Sequence, residues 1–266
     1  MMKNSRRSFL KIAGISAIGF SMTPVVNVFA SSGQEGNKPE PSYSVNKKAL
    51  KAKRWGLVID TRKLSEEIVE ELGKTCSKIH NIPEIKNKDH EIKWIWGEEF
   101  KHAFPGKENE FLDERMKHLS MPVLCNHCKD APCVRVCPTK ATFKRPDGIV
   151  LMDFHRCIGC RFCMAACPYG SRSFNFIDPR TVLPKDRKEW NLEFPTRMKG
   201  VVEKCNFCAE RLAVGKTPAC VEASHGALAF GDLEDPKSEV RKLLKSNYTI
   251  RRKPSLGTGP SVYYIV

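Results

Sequence analysis

No C-x-x-C pair in the chain is followed by histidine. Lys129, Arg161, Met164 and Ala209 stand there instead, which excludes covalent haem c attachment. The G-x-S-x-G elbow, the H-E-x-x-H zinc helix and the phosphate loop are absent too, and with them the usual signatures of hydrolysis and nucleotide binding. A lone Gly257-x-Gly259 has no following strand and helix, and reads as a turn. Long hydrophobic runs are lacking. The most apolar stretch, Ile12 to Val28, is diluted by Gly14, Ser16, Gly19, Ser21 and Asn27, contains Pro24, and falls short of the roughly 20 residues a spanning helix needs. With 41% hydrophobic residues the composition suits a globular protein, not a membrane bundle. Acid is scarce: 30 Asp and Glu stand against 45 Lys and Arg.

Cysteine is what the chain has in quantity: 12 residues. Eight lie between Cys125 and Pro168, at Cys125, Cys128, Cys133, Cys137, Cys157, Cys160, Cys163 and Cys167. The second run has the C-x2-C-x2-C-x3-C-P spacing of bacterial ferredoxins, in which three thiolates hold one iron–sulfur cube and the fourth ligates its neighbour. A tight loop aims three sulfurs at one cube, and the cysteine before proline opens a short helix leading to the other. Crosswise sharing assigns cube one to Cys125, Cys128, Cys133 and Cys167, and cube two to Cys157, Cys160, Cys163 and Cys137. Four residues instead of two separate Cys128 from Cys133, and this longer loop still permits three ligands. Structural zinc needs closed sets of four ligands, which these overlapping runs overshoot. Disulfides are open to an exported protein, but cysteines this dense fit metal ligation better. The seven histidines, His80, His127 and His155 among them, read as hydrogen-bonding or surface residues.

The N-terminus pairs Arg6 and Arg7 before Phe9 and Leu10, followed by the diluted apolar stretch and Val28-Phe29-Ala30, close to a small-residue cleavage site. This is a twin-arginine export signal by pattern, a route that carries folded proteins with cofactors inserted. The expected location is the periplasmic or extracytoplasmic face of the membrane. Residues 1–30 hold four basic side chains and no acid, so without them 41 basic residues stand against 30 acidic, a net +11. Three oxidised four-thiolate cubes would bring this to about +5. Much of the basic excess therefore offsets cofactor charge, and nucleic acid is not an expected partner.

Residues 31–54 are polar, with Pro and Gly, and read as a linker. Trp55–Asp60 reads as a buried strand and Leu64–Cys76 as a helix capped by Ser65. Ile92–Trp96 alternates as a strand, and 98–118 is a charged insertion. Residues 141–153 form a hairpin around Pro146-Asp-Gly148. Ala227–Phe230 is a short strand, and Asp235-Pro236 opens a helix carrying Val240, Leu243 and Leu244.

The segments RRSFLKIAG, WGLVIDTRK, VLCNHCKDAPCVRVCPTKATFKRPDGIV, FHRCIGCRFCMAACPYGSRSFNF, EKCNFCAERL and GPSVYYI together resemble the polyferredoxin-type electron-transfer subunits of molybdopterin and quinone-linked redox complexes. The finer resemblance, carried by CSKIHNIP and IKWIW, is to the DsrO group, the extracytoplasmic iron–sulfur subunits of DsrMKJOP complexes of dissimilatory sulfur metabolism. It spans nearly the whole chain. The family often carries sixteen cysteines and four cubes. Here three cysteines of the first group are missing from the Leu64–Thr75 stretch, and Ser224 stands where the last group's fourth belongs. By the family's crosswise rule those four absent ligands are one whole cube. The rule joins Cys76 to Cys205, Cys208 and Cys220 in a third. The alternative leaves Cys76 a free thiol and the third cube incomplete.

The resemblance implies an α+β fold of two interleaved bacterial-ferredoxin-like dicluster modules with loop insertions. A one-cluster degenerate module spans 55–118 and 195–233, a two-cluster module spans 119–180, and a C-terminal helix and tail cover 234–266. It implies three [4Fe-4S] clusters in a non-catalytic wire, because four-thiolate cubes leave no coordination site for substrate. The implied partners are an integral membrane quinone-interacting subunit, a multihaem cytochrome c and other subunits of a membrane redox complex. The rivals are the iron–sulfur subunit of a polysulfide, tetrathionate or nitrite reductase, and an iron–sulfur enzyme with an open-site cluster. Lys129, Arg135, Arg156 and Arg161, next to ligands, are expected either to raise cluster potentials or to be solvated charge.

Overall fold

The computed structural model describes residues 46–107 and 109–266, so the twin-arginine segment and the stretch up to residue 45 lie outside the described residues. In chain order the elements are β1 (Trp55–Asp60), α1 (Glu66–Ile79), β2 (Ile95–Glu99), α2 (Phe100–Ala103), α3 (Glu114–His118), β3 (Ser120–Leu124), α4 (Pro132–Arg135), β4 (Thr142–Lys144), β5 (Val150–Met152), α5 (Phe162–Ala165), β6 (Ser173–Phe174), β7 (Val202–Glu203), α6 (Ala209–Ala213), α7 (Ala219–Glu222), β8 (Leu228–Asp232), α8 (Glu239–Ser246), β9 (Thr249–Ile250) and β10 (Val262–Ile265). Among the described residues, no helix is long and apolar enough to cross a membrane.

β1 is central to a four-stranded sheet of order β8-β1-β10-β9, parallel to β10 and antiparallel to β8. Its continuous apolar text follows from burial on both faces. Leu57 and Ile59 enter the main core with Leu72, Trp94, Val123 and Tyr264, while Val58 packs with Leu233, Val240 and Ile265. Helix α1 starts where Ser65 Oγ accepts the Ile68 N–H at 3.3 Å, and its Val69, Leu72 and Cys76 form the buried stripe. That periodicity carries Cys76 on the inner face of a helix packed against β2 and α7.

The strand expected at Ile92–Trp96 lies instead at Ile95–Glu99. Pairing with β3, from Ile95 opposite Leu124 to Glu99 opposite Ser120, sets its limits. The last helix is capped by Ser238, not Asp235, whose carboxylate closes a turn on the Lys237 N–H at 2.9 Å. The C-terminal span expected as helix and tail contributes β9 and β10, so the chain's end lies inside the central sheet. Part of the expected linker is also pinned: Leu50 N–H donates to the Leu212 carbonyl, and the Lys53 and Arg54 N–H groups donate to Asp232. The charged insertion contains the short helices α2 and α3, and the β4–β5 hairpin forms as expected, Thr142 opposite Met152.

Candidate iron–sulfur sites

Three of the four C-x2-C pairs share one backbone device: the residue before the second cysteine has positive φ, His127 at 41°, Gly159 at 71° and Phe207 at 54°. In the fourth, Cys160–Cys163, the positive φ falls on Arg161, at 63°. This left-handed residue turns the chain sharply enough to aim both flanking thiols to one side. His127 and Phe207 stack face to face with ring centroids 3.6 Å apart, so two of the loops meet through these residues.

Cys125 follows β3, Cys128 ends the loop, Cys133 sits in α4 and Cys167 follows α5. These four line one cavity, with Tyr169, Ser171 and Arg172 in its wall. Cys167 thus joins the first run's three cysteines across the chain. Burial, followed by the neighbouring Cys125 thiol, pushes Cys128 up to about 12. Burial and Cys125 also raise Cys167.

A second cavity is lined by Cys76, Cys205, Cys208 and Cys220, walled by Leu57, Ile95, Leu124, Phe207 and Phe230. Burial pushes Cys76 far above the ordinary thiol range, and Cys205, Cys208 and Cys220 push it further. Burial and Cys205 push Cys220 up to about 12. His80 Nδ1 lies 3.5 Å from Cys76 Sγ, and its Nε2 pairs with Glu210 at 2.9 Å. His80, Cys208 and Glu210 bring ligand atoms within 4.8 Å of one another. They make no separate metal centre, since Cys208 lines the cavity and His80 and Glu210 are bonded to each other.

The remaining set is more open. Cys163 and Cys133 share one buried cluster, the partly buried Cys157 packs against it, and α4 packs on α5. Burial raises Cys163. Cys137 follows α4 and is held below the ordinary thiol value. Its partial burial opposes that shift, but the Thr142 N–H at 3.4 Å and donors from Thr139 and Ala141 outweigh it. Cys160 is exposed, between exposed Ile158 and Phe162.

The two enclosed donor sets fit iron–sulfur cubes: four soft ligands face each cavity, and their burial leaves no means of ionising together except against a cationic metal core. The open set offers the same four soft ligands with one of them at the surface. Ser224 takes no part: its buried hydroxyl donates to the Val221 carbonyl at 2.7 Å and accepts the Leu228 N–H at 3.0 Å.

The four cations picked out beside ligands, Lys129, Arg135, Arg156 and Arg161, are all exposed. Arg156 pairs with Asp153 at 3.2 Å, and Arg161 lies over the Phe174 ring at 5.3 Å. Solvent screens charges so placed. Of the buried cations, Lys204 and Arg172 lie beside the cysteine sets, and the sequence does not mark them. Each stands within five residues of a cysteine in sequence, but their burial is a tertiary property.

Residues 116–178 match a 4Fe-4S dicluster domain. The chain is 42% identical to the "Hdr-like menaquinol oxidoreductase iron-sulfur subunit 1" of Archaeoglobus fulgidus, over 98% of this chain and 97% of that one. It is 36% identical to the "Menaquinone reductase, iron-sulfur cluster-binding subunit" of Nitratidesulfovibrio vulgaris, over 80% and 88%. With a subunit of the tetrathionate reductase of Salmonella typhimurium it shares 31% identity over 99% and 89%.

Proposed function

Because the chain belongs to the family of iron–sulfur electron-transfer subunits of oxidoreductase complexes, we propose that it is an exported relay of the DsrO type. In this proposal it carries three [4Fe-4S] cubes between a membrane quinone-interacting subunit and a multihaem cytochrome c. It is a non-catalytic subunit. When bound, the cubes supply one-electron storage at sites with no position for substrate.

The protein's own contribution is placement and exclusion of water. The observation that carries the proposal is the gathering of Cys76 with Cys205, Cys208 and Cys220 about one cavity, which gives all twelve cysteines a place in three sets of four. Leu57, Ile95, Leu124 and Phe230 keep that cavity dry. Exposed Cys160, flanked by Ile158 and Phe162, puts the open set where a partner can come within electron-transfer reach. The twin arginines support export, and the menaquinol and menaquinone named for two relatives support a quinone-linked complex. The tetrathionate reductase relative supports a second reading, the same wire in a reductase of sulfur oxyanions. The membrane and cytochrome subunits that co-purify decide between them.

The test is iron and acid-labile sulfide per chain on anaerobically purified protein, beside Cys76→Ser. Three cubes give about twelve irons, four per cube, falling towards about eight in the variant. An iron content unaffected by Cys76→Ser removes Cys76 from the site and overturns the three-cube wire.

A further inference from the structure

Two buried cations lie between neighbouring sets of cysteines, and among the described residues neither is paired with a carboxylate. The Lys204 ammonium donates to the Val150 carbonyl and, at 2.7 Å, to that of Cys205. Val150 lines the Cys125 cavity and Cys205 lines the Cys76 cavity, so this one charge touches a wall of each. Arg172 lines the Cys125 cavity. Its Nη1 donates to Thr142 Oγ1 and to Met152 Sδ, both at 3.2 Å, and Nη2 is buried with no hydrogen-bond partner. Thr142 in turn gives its N–H to Cys137 Sγ at 3.4 Å, so Arg172 also reaches the third set through one residue.

Burying a charge without a counter-ion costs several kcal/mol, and this fold pairs a buried cation where pairing serves structure. Arg197 is fully buried against Glu203 at 2.8 Å. Glu203 adjoins Lys204 in sequence, yet its carboxylate is taken up by Arg197, Trp94 and Asn175. Lys204 and Arg172 are left facing the cysteine cavities. A fourth buried cation, Arg252, lies over the ring of Tyr169, which also lines the Cys125 cavity.

We infer that Lys204 and Arg172 are positioning residues, fixed counter-charges set between successive cubes, each favouring the reduced state of the two cubes it separates. This rests on the three-cube proposal. A cube that takes up one electron becomes more negative, and a fixed cation in a low-dielectric wall favours that state without reorganisation. The consequence is a pattern. The middle cube, on Cys125, Cys128, Cys133 and Cys167, answers to both cations. The cube on Cys76, Cys205, Cys208 and Cys220 answers to Lys204, and the cube on Cys137, Cys157, Cys160 and Cys163 answers to Arg172.

The experiment is a potentiometric titration of the intact protein with dithionite, followed by EPR, with signals assigned from Cys76→Ser and Cys160→Ser. Iron content is measured first. Wild type without cubes fails the three-cube proposal itself, whereas loaded cubes with unmoved potentials fail only this inference. Lys204→Met is expected to lower the reduced-to-oxidised ratio of the middle and Cys76 cubes about tenfold at fixed potential, about 59 mV for a one-electron couple. Arg172→Met is expected to do the same to the middle and Cys160 cubes, with Arg172→Lys restoring most of it. Where a methionine variant does not load, Met152→Glu keeps both cations and gives Arg172 a carboxylate partner. It is expected to lower the same two cubes as Arg172→Met. Unmoved potentials in loaded variants, or a shift common to all three cubes, overturns the inference.

Discussion

Arg197→Met strands a carboxylate in the core. Arg197 and Glu203 are fully buried, bonded at 2.8 Å, and Glu203 also accepts from Trp94 Nε1 at 2.8 Å and Asn175 Nδ2 at 2.6 Å. The guanidinium also donates to the carbonyls of His80 and Asn81, where α1 ends, and Asn81 Nδ2 donates to the Asn191 and Phe194 carbonyls at 2.8 Å. The network therefore fastens the connection at 178–199 to the helix that carries Cys76. Removing one partner of such a pair costs about 3–5 kcal/mol, and each kcal/mol moves the melting temperature by roughly 2–4 °C at this chain length. The expected drop is on the order of 10 °C. The assay is bleaching of cluster absorbance under anaerobic heating at one scan rate, because cluster loss makes unfolding irreversible. Arg197→Met with Glu203→Leu removes both charges and is expected to lie closer to wild type than the single variant. A single variant within about 2 °C of wild type, or a double variant worse than the single, refutes the stranded-charge reasoning.

Gly159→Ala introduces a Cβ 2.4 Å from the Gly200 carbonyl oxygen, at a φ of 71° that alanine resists. Iron content is expected to fall by about four per chain, from the Cys157 set, with the Cys125 and Cys76 EPR signals retained. Unchanged iron would show that this turn tolerates a side chain. Asp232 tethers residues 46–54: burial pulls its carboxyl up, but the N–H groups of Lys53, Glu234 and Arg54 outweigh this and hold it below the usual 3.8. The tether is therefore fully present above that value and weakens only as pH falls through the lower folded value. Asp232→Ala is expected to speed tryptic cleavage after Lys51 and Lys53 several-fold at neutral pH, and an unchanged cleavage rate counts against the tether.

Local spacing made the C-x2-C loops legible in the sequence, because both ends of each loop lie within four residues and the turn between them is short-range. Cys167 was assignable to the first run's set for the same reason, through the C-P step that opens a helix. Cys76 was different. Nothing near it marks a ligand, and only the family resemblance tied it to Cys205, whereas the structure brings them together by packing α1 over α7. The C-terminal strand was missed because Val262–Ile265 follows a Gly- and Pro-rich stretch that reads as a tail, and its partner β1 lies at the other end of the chain. The buried cations were illegible for a further reason. Lysines and arginines are written alike whether solvated, as Lys129 is, or enclosed, as Lys204 is.

The stretch in which the resemblance places a further group of cysteines holds no half-built site. Where a cysteine loop would need a left-handed residue in each turn, residues 66–79 run as uninterrupted helix, and Val69 and Leu72 fill the core beneath it. Burying side chains of that size contributes about 1.5–3 kcal/mol each, so this face of α1 stabilises the fold on its own terms and without a metal. Ser224 is likewise committed: its hydroxyl ties the end of α7 to the start of β8, a task a ligating sulfur cannot also perform. Helix α1 and the turn at Ser224 are thus each satisfied locally. Under the three-cube proposal the wire therefore stops at Cys76, beneath α1, and its other end is the exposed set at Cys160. Such a chain can join two redox partners through three cubes, but it has no fourth cube to serve a partner beyond the helix.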